Sequence, residues 1–345
     1  MTTRCLKDEH LKLDFVKSPL QVGSVKFRNR IALAPMSGVT DLPFRQLAFE
    51  FGAGFVVTEM VASRELVGNS SESWSRLQNS GIDPHIVQLA GRDPHYMAEG
   101  ARIAEANGAD MIDINMGCPA KKVIGGLSGS ALMREPELAL SLIDAVVKAV
   151  SVPVTVKMRL GWDEASINAP ELAHAAEDLG AQMITIHGRT RMQFYEGRAN
   201  WEMIARVRER ISVPLIANGD VETPEDVALI LEQSGADGVM VGRGSQGRPW
   251  HAGVLAGTRI APDRAEIADI FERHYRMTLE FYGGLPGLRH ARKHVGWALD
   301  RFGGHLQGEA RTSILTSQDP ESVIGAMRAI LLNPPAPGAG LSEAA

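Results

Sequence analysis

The sequence predicts an α/β protein, a (β/α)8 TIM barrel followed by a small C-terminal α-helical domain. Eight short apolar runs recur with room for one helix between each pair, over about 225 residues, the length such a barrel needs. The runs are unalternating, as strands covered on both faces should be. From about residue 255 the rhythm stops, and residues 256–330 carry helical patterns with no convincing strand.

The first strand is IALAP (31–35), and the second, FVVTEM (55–60), follows a helix ending at Gly52-Ala53. HIVQLAG (85–91) is the third. The same Gly-Ala ending precedes MIDINMG (111–117), MITIHGR (183–189) and GVMVGRG (238–244), because glycine just past a helix adopts the left-handed conformation that closes it. PVTVKMR (153–159) and PLIANGD (214–220) begin instead with proline, whose missing N–H is tolerated at a strand's first position. Amphipathic stretches such as 140–148 and 201–208 fill the intervals. An open doubly wound sheet is the alternative, weakened because no Gly-x-Gly-x-x-Gly follows the first strand. The expected organisation is an extension over 1–18, the barrel over 19–255, a helical domain over 256–332 and a loose Pro/Gly-rich tail over 333–345.

At 345 residues and 44% hydrophobic, the chain can bury one large core and a second small one. No run approaches the roughly 18 apolar residues of a membrane helix, and the N-terminus lacks the apolar core of a signal peptide. Cys5 and Cys118 are the only cysteines, which suggests no disulfide framework and makes a reducing cytoplasm the expected compartment. A net charge of −5 argues against indiscriminate nucleic-acid binding but leaves room for a local basic face.

Polar residues gather where the strands end: Gln88, Asn115, Cys118, Lys157, Arg159, His187, Arg189, Asn218 to Asp220, Gly242 and Arg243. They come from six successive βα units, and a barrel brings them to one mouth, the end where such folds do chemistry. Cys118 follows an apolar run in the turn Asn115-Met-Gly-Cys-Pro119. A lone cysteine there is more often a small buried hydrophobe, but this setting and the remoteness of Cys5 favour function. The turns Asn218-Gly219-Asp220 and Gly242-Arg243-Gly244 follow strands seven and eight, where barrels bind phosphate through backbone N–H groups. Lys157 opposite such a site suits flavin mononucleotide, with the cation near the N1/O2 edge stabilising the anionic reduced ring. Taken alone, Lys157 reads equally as an ion-paired barrel residue and His187 as a donor to a carbonyl. Asp41 and Arg45 read as a helix cap and a surface partner.

PMSGVTD (35–41), VQLAG (87–91), INMGCPAKKV (114–123), VKMR (156–159), HGRT (187–190), ANGD (217–220) and VGRG (241–244) together resemble the tRNA-dihydrouridine synthases. The segment 289–297 resembles the helical signature of their B-type bacterial branch. The resemblance covers roughly residues 20–330 and implies an FMN enzyme that reduces the C5–C6 double bond of specific tRNA uridines, recharged by NADPH, with NADH as the alternative. By carry-over it implies that Pro35, Met36 and Ser37 contact the isoalloxazine and Gln88 its pyrimidine edge. Asn115 lies beside them, Lys157 and His187 line the ring and ribityl chain, and Asn218, Gly219, Asp220, Gly242 and Arg243 hold the ribityl and phosphate. A hydride to C6 leaves charge on C5 and O4, so C5 needs a proton, and Cys118 is the implied general acid. It must stay protonated at neutral pH, the reverse of a nucleophilic cysteine. The stacked base must be turned out of the folded tRNA. Expected contacts are Lys121, Lys122, Arg189 and Arg191 at the mouth and Arg289, Arg292, Lys293 and Arg301 in the helical domain, with no DNA or membrane partner and a monomer favoured.

Residues 256–330 hold ten Lys/Arg against nine Asp/Glu, so only the clustering within 289–301 favours RNA over an ordinary solvated face. His290 and His294 have a metal-compatible spacing, but no third ligand accompanies them, and ordinary surface or core histidines are the expectation. The rival enzyme is an oxidoreductase of free pyrimidines such as a dihydroorotate dehydrogenase, which would have no use for the helical domain. The rival outside enzymes is a non-catalytic tRNA-binding or regulatory barrel, against which the intact Cys118, Lys157 and Gly-rich turns argue.

Overall fold

The computed structural model describes residues 14–79, 81–120 and 127–336. Two compact units emerge, one of the chain up to Gly244 with Ala252–Arg259, the other of Ser245–His251 with the chain from Ile260 onward. Cys5, Lys121, Lys122 and most of the predicted 333–345 tail lie outside the described residues.

In the first unit, a hairpin of β1 (Leu20–Val22) and β2 (Val25–Phe27) precedes nine parallel strands. These are β3 (Ile31–Leu33), β4 (Phe55–Val56), β5 (Val61–Ala62), β6 (Ile86–Ala90), β7 (Met111–Met116), β8 (Val154–Arg159), β9 (Ile184–His187), β10 (Leu215–Asn218) and β11 (Gly238–Val241). Their order is β4-β3-β11-β10-β9-β8-β7-β6-β5, and a parallel bridge from Val57 to Ile86 joins its two ends. Strands β4 and β5 are therefore two pieces of the predicted run 55–60 and its continuation. The sheet closes as an eight-staved barrel with an interruption at Thr58 to Met60.

Helices α1 (Leu42–Glu50), α2 (Ser63–Val67), α3 (Ser71–Leu77), α4 (Pro94–Ala106), α5 (Pro136–Val147), α6 (Ala169–Asp178), α7 (Trp201–Arg208) and α8 (Pro224–Ser234) fill the crossovers. Asp41 caps α1 as expected, its carboxylate accepting from Phe44 N at 3.1 Å. Arg45 departs from the expected surface position. It is buried and donates to the Thr40 and Gln78 carbonyls at 3.0 and 3.3 Å. The glycines of all four Gly-Ala endings have positive φ: Gly52, Gly108, Gly180 and Gly235.

The hairpin is the element the strand count missed. Its inward residues Leu20, Val22, Val25 and Phe27 join a core cluster with Ile86, Met111, Met183 and Ile216 from the beginnings of the strands, and the Phe27 ring stacks on Phe55 at 3.9 Å. This apolar plug fills the N-terminal end of the barrel, so polar chemistry is confined to the opposite mouth.

After α9 (His251–Leu255), the second unit carries α10 (Arg264–Tyr282), α11 (Gly284–Phe302), α12 (Gly308–Thr316) and α13 (Pro320–Leu332). Buried His274 and His294 meet edge to face, ring centroids 4.5 Å apart, beside Ile270, Phe271 and Trp250. His290, one turn before His294 on α11, stacks on the Tyr282 ring with centroids 3.8 Å apart. No described helix is long and apolar enough to cross a membrane.

Candidate active site

Alternate residues of a barrel strand point to one side. That parity sets Asp113 and Asn115 on β7 beside Thr155 and Lys157 on β8, matched in register, with Gln88 opposite Asp113. His187 on β9 pairs in register with Asn218 on β10. Most of the predicted residues thus come from adjacent staves at one level of the mouth.

Their hydrogen bonds form one chain. Thr155 Oγ1 and Gln88 Nε2 donate to the two oxygens of Asp113, each at 2.7 Å. Asn115 Nδ2 donates to Gln88 Oε1 at 2.7 Å, and Asn115 Oδ1 accepts from the backbone N–H groups of Gly117 and Cys118 at 3.2 and 3.1 Å. The Cys118 carbonyl accepts from Ser130 N and Oγ at 3.0 and 2.9 Å. Across the mouth, Lys157 Nζ reaches Asn218 Oδ1 at 3.3 Å, while Asn218 Nδ2 donates to the Met240 carbonyl at 2.7 Å.

Burial governs the electrostatics. It raises Asp113 to about 6, against the hydrogen bonds from Gln88 and Thr155 that favour its ionised form. It lowers Lys157 to about 8, helped by Arg159, with Asp113 opposing. His187 is pushed well below its ordinary value by burial and by Arg159, Lys157, Arg189 and Arg243, so it is a neutral imidazole. Burial also pushes the Cys118 thiol up, with a backbone hydrogen bond and Arg159 and Lys157 pulling the other way. A half-buried thiol in that setting is a reservoir of protons at neutral pH, not a thiolate.

Two arginines organise the rim. Arg159, almost fully buried, donates to the carbonyls of Gly117, Thr190 and Phe194, all at 2.9 Å, and so ties the Cys118 turn to the loop after β9. Arg189, expected at an RNA surface, is 1% exposed. It donates to the carbonyls of Glu196 and Gly197 at 3.0 and 2.7 Å and to Asp220 at 2.5 Å, an internal clamp with no face for a macromolecule. Asp220 also meets Arg243 at 3.1 Å and accepts from Ala199 N at 2.7 Å. Its carboxylate therefore orients two cations. The turn needs Gly219: its φ is +130°, and a Cβ there would meet Ala199 Cβ at 2.6 Å.

Arg191 is half-buried, lying over Trp162 and Phe194 at 4.9 Å each, with Arg134 on Trp162 at 3.8 Å. Met36 anchors the 35–37 turn, its N–H donating to Thr40 Oγ1 at 2.8 Å, and Gly38 N–H donates to buried Glu59. Asp113, Thr155 and Glu59 escaped the sequence reading. Asp113 and Thr155 are polar positions two residues before Asn115 and Lys157 inside apolar strands, the signal that could have found them.

Residues 32–326 match the family model described as "Dihydrouridine synthase (Dus)". A probable tRNA-dihydrouridine synthase of Rhizobium leguminosarum bv. phaseoli is 68% identical over 296 residues, 86% of this chain and 93% of that protein. The chain belongs to the dihydrouridine synthase family. Within it, the tRNA-dihydrouridine synthase B proteins of Pseudomonas aeruginosa and Shewanella oneidensis are 44% and 42% identical, over 88% and 82% of this chain and 94% and 90% of theirs. Among solved structures, TcOYE with pHBA superposes with a TM-score of 0.56 at 15% identity, over 79% of this chain and 99% of that one, a likeness of fold. The family's barrel here carries Cys118, Lys157, His187 and Asn218 on neighbouring staves of one mouth.

Proposed function

We propose that the mouth holds flavin mononucleotide and that the enzyme, recharged by NADPH, converts specific uridines of tRNA to dihydrouridine, with Cys118 as the acid. The observation that carries this is the Cys118 turn set beside Lys157 on adjacent staves of a mouth whose other end is plugged. The donor set fits the cofactor. Gln88 and Asn115 offer further amide donors and acceptors to a pyrimidine edge, and Lys157 offers a cation to an anionic ring. Asn218, the Gly219 turn, Gly242 and Arg243 lie where a barrel receives phosphate.

The bound flavin, once reduced, supplies the hydride. The protein's own task is then to keep Cys118 protonated, aim its Sγ–H at C5 of the turned-out uracil and exclude water. Burial of the thiol serves the first requirement, and the Asn115 and Ser130 hydrogen bonds on its backbone serve the second. His187, neutral and flanked by cations, acts as a fixed hydrogen-bonding group and not as a competing acid. Arg191, with Arg289, Arg292 and Lys293 on α11, is assigned to the tRNA backbone, and Lys121 and Lys122 keep the same assignment from their place after the Cys118 turn. The cytoplasm, where tRNA is processed under reducing conditions, is the compartment this chemistry implies.

The test is an absorbance spectrum of the purified protein, followed by incubation with NADPH and unmodified tRNA and mass spectrometry of the product. Bound flavin with dihydrouridine formed is the expected result. Reduction of free pyrimidines alone would move the assignment to a small-molecule oxidoreductase. Tight tRNA binding by a protein that FMN cannot reconstitute would remove the catalytic reading.

A further inference from the structure

We propose that Asp113 is a positioning residue whose carboxylate sets the direction of the hydrogen-bond chain Gln88–Asn115 and thereby holds the Cys118 turn. The two carboxamides could each face either way, since amide oxygen and nitrogen are nearly the same size. An ionised carboxylate only accepts hydrogen bonds. Asp113 accepts from Thr155 on one oxygen and so demands an N–H from Gln88 on the other. Gln88 must then turn its oxygen to Asn115, and Asn115 must answer with its NH2 group. That leaves Asn115 Oδ1, and not its NH2, facing the N–H groups of Gly117 and Cys118.

Every member is buried, so a reversed amide would set like groups against each other where water cannot intervene. One acceptor-only group, at the far end of the chain from the thiol's turn, therefore decides whether the turn is held or repelled. A part for Asp113 in catalysis rests on Cys118 being the acid; its hold on the turn does not.

The chain can be inverted by design. In Asn115→Asp, the new carboxylate keeps its acceptors toward the turn but sets an oxygen against Gln88 Oε1. In Asp113→Asn/Asn115→Asp, Gln88 can flip to donate to position 115 and accept from the amide at 113, whose oxygen still receives Thr155. The readout is the rate of Cys118 alkylation by iodoacetamide in a Cys5→Ser background, which leaves one thiol in the chain. Asn115→Asp is expected to raise that rate by about tenfold, and the double variant to return it to within about twofold of the parent. Dihydrouridine formation, followed separately, should fall with the single variant and partly recover with the double.

An unchanged rate in Asn115→Asp, or a double variant as labile as the single, overturns the proposal. So does a slower rate in the single variant, because an added carboxylate acting by charge alone would disfavour the thiolate and slow alkylation, and the double restores the parent's net charge. If Asn115→Asp does not fold, a folded double variant is itself the rescue and an unfolded one is refutation. Restored labelling without any dihydrouridine activity in the parent would leave the turn assignment standing and remove only the proposed reaction.

Discussion

At the scale of single residues, the mouth is built from side chains whose proton affinities burial has shifted. Cys118 is the clearest case, because its raised pKa suits an acid and disqualifies a nucleophile. Cys118→Ala should leave flavin content and NADPH-dependent flavin reduction unchanged while dihydrouridine formation drops by about 10²–10⁴-fold, the usual worth of a positioned general acid. Rapid-mixing absorbance follows the first quantity and mass spectrometry the second, and normal product formation would remove the thiol from the reaction. Arg159 makes a contrasting prediction. Its guanidinium is nearly fully buried, is lowered to about 10 chiefly by burial, and joins three carbonyls from two loops. Arg159→Ala should cost about 3–5 kcal/mol, by the loss of a buried ionic hydrogen-bond hub, and urea unfolding would measure it. A loss under about 1 kcal/mol would mean the two loops hold themselves.

At the scale of elements, the hairpin β1–β2 is a stopper. Phe27 is fully buried against Phe55, so Phe27→Ala should destabilise the protein by about 3–5 kcal/mol through transfer and cavity effects, read as a lower urea midpoint. The helical unit has a different weakness. Burial lowers His274 to about 4 and pushes His294 well below its ordinary value, and the two rings touch. An unfolded histidine takes its proton near 6.5, so between that pH and about 4 the unfolded chain binds more protons than the folded one. Stability is therefore full above pH 6.5 and falls as pH drops toward 4, by about 3 kcal/mol for His274. Hydrogen exchange of α10 and α11, corrected for intrinsic rate, should show the loss, and His274→Phe should make the slope shallower; a flat profile in the parent would refute it. The staves were legible because each is a short apolar run between helix-closing glycines, and the mouth was legible because polar residues end those runs. The hairpin was not, since three-residue strands alternating apolar and polar carry too little pattern to stand out. Nor was the burial of Arg189 and Arg45, because the carbonyls that hold them come from segments whose folding no local pattern announces. Asp113 was hidden for a related reason: its importance lies in the direction of hydrogen bonds across strands, which spacing does not encode.

At the scale of the whole molecule, the question is how a chain of net charge −5 takes up a polyanion. A diffuse attraction is unavailable, so affinity has to come from local clusters of cations that release counterions when they meet phosphates. The cluster proposed here is on helix α11: Arg289, Arg292 and Lys293 fall three and four residues apart, which sets them on a single face, and the first two are exposed. Among the other arginines of this unit, Arg276 pairs with Glu272 and Glu321, Arg328 with Asp269 and Glu272, and Arg311 with Asp300, while Arg264 and Arg301 donate to the carbonyls of Leu331 and Gln246 at 3.0 and 2.7 Å. Part of the unit's charge is thus taken up by internal pairs. Charge reversal of Arg292 and Lys293 to Glu should weaken tRNA binding and reduce the slope of log K against log salt by about two, one for each phosphate that is no longer neutralised. NADPH-dependent flavin reduction, assigned above to the barrel mouth, should not change. Binding titrations at several salt concentrations measure the slope, and stopped-flow absorbance measures the flavin step. A slope that stays as steep as the parent's would place the phosphate-binding cations elsewhere. A slower flavin step would mean that α11 serves the fold of the mouth and not the capture of RNA.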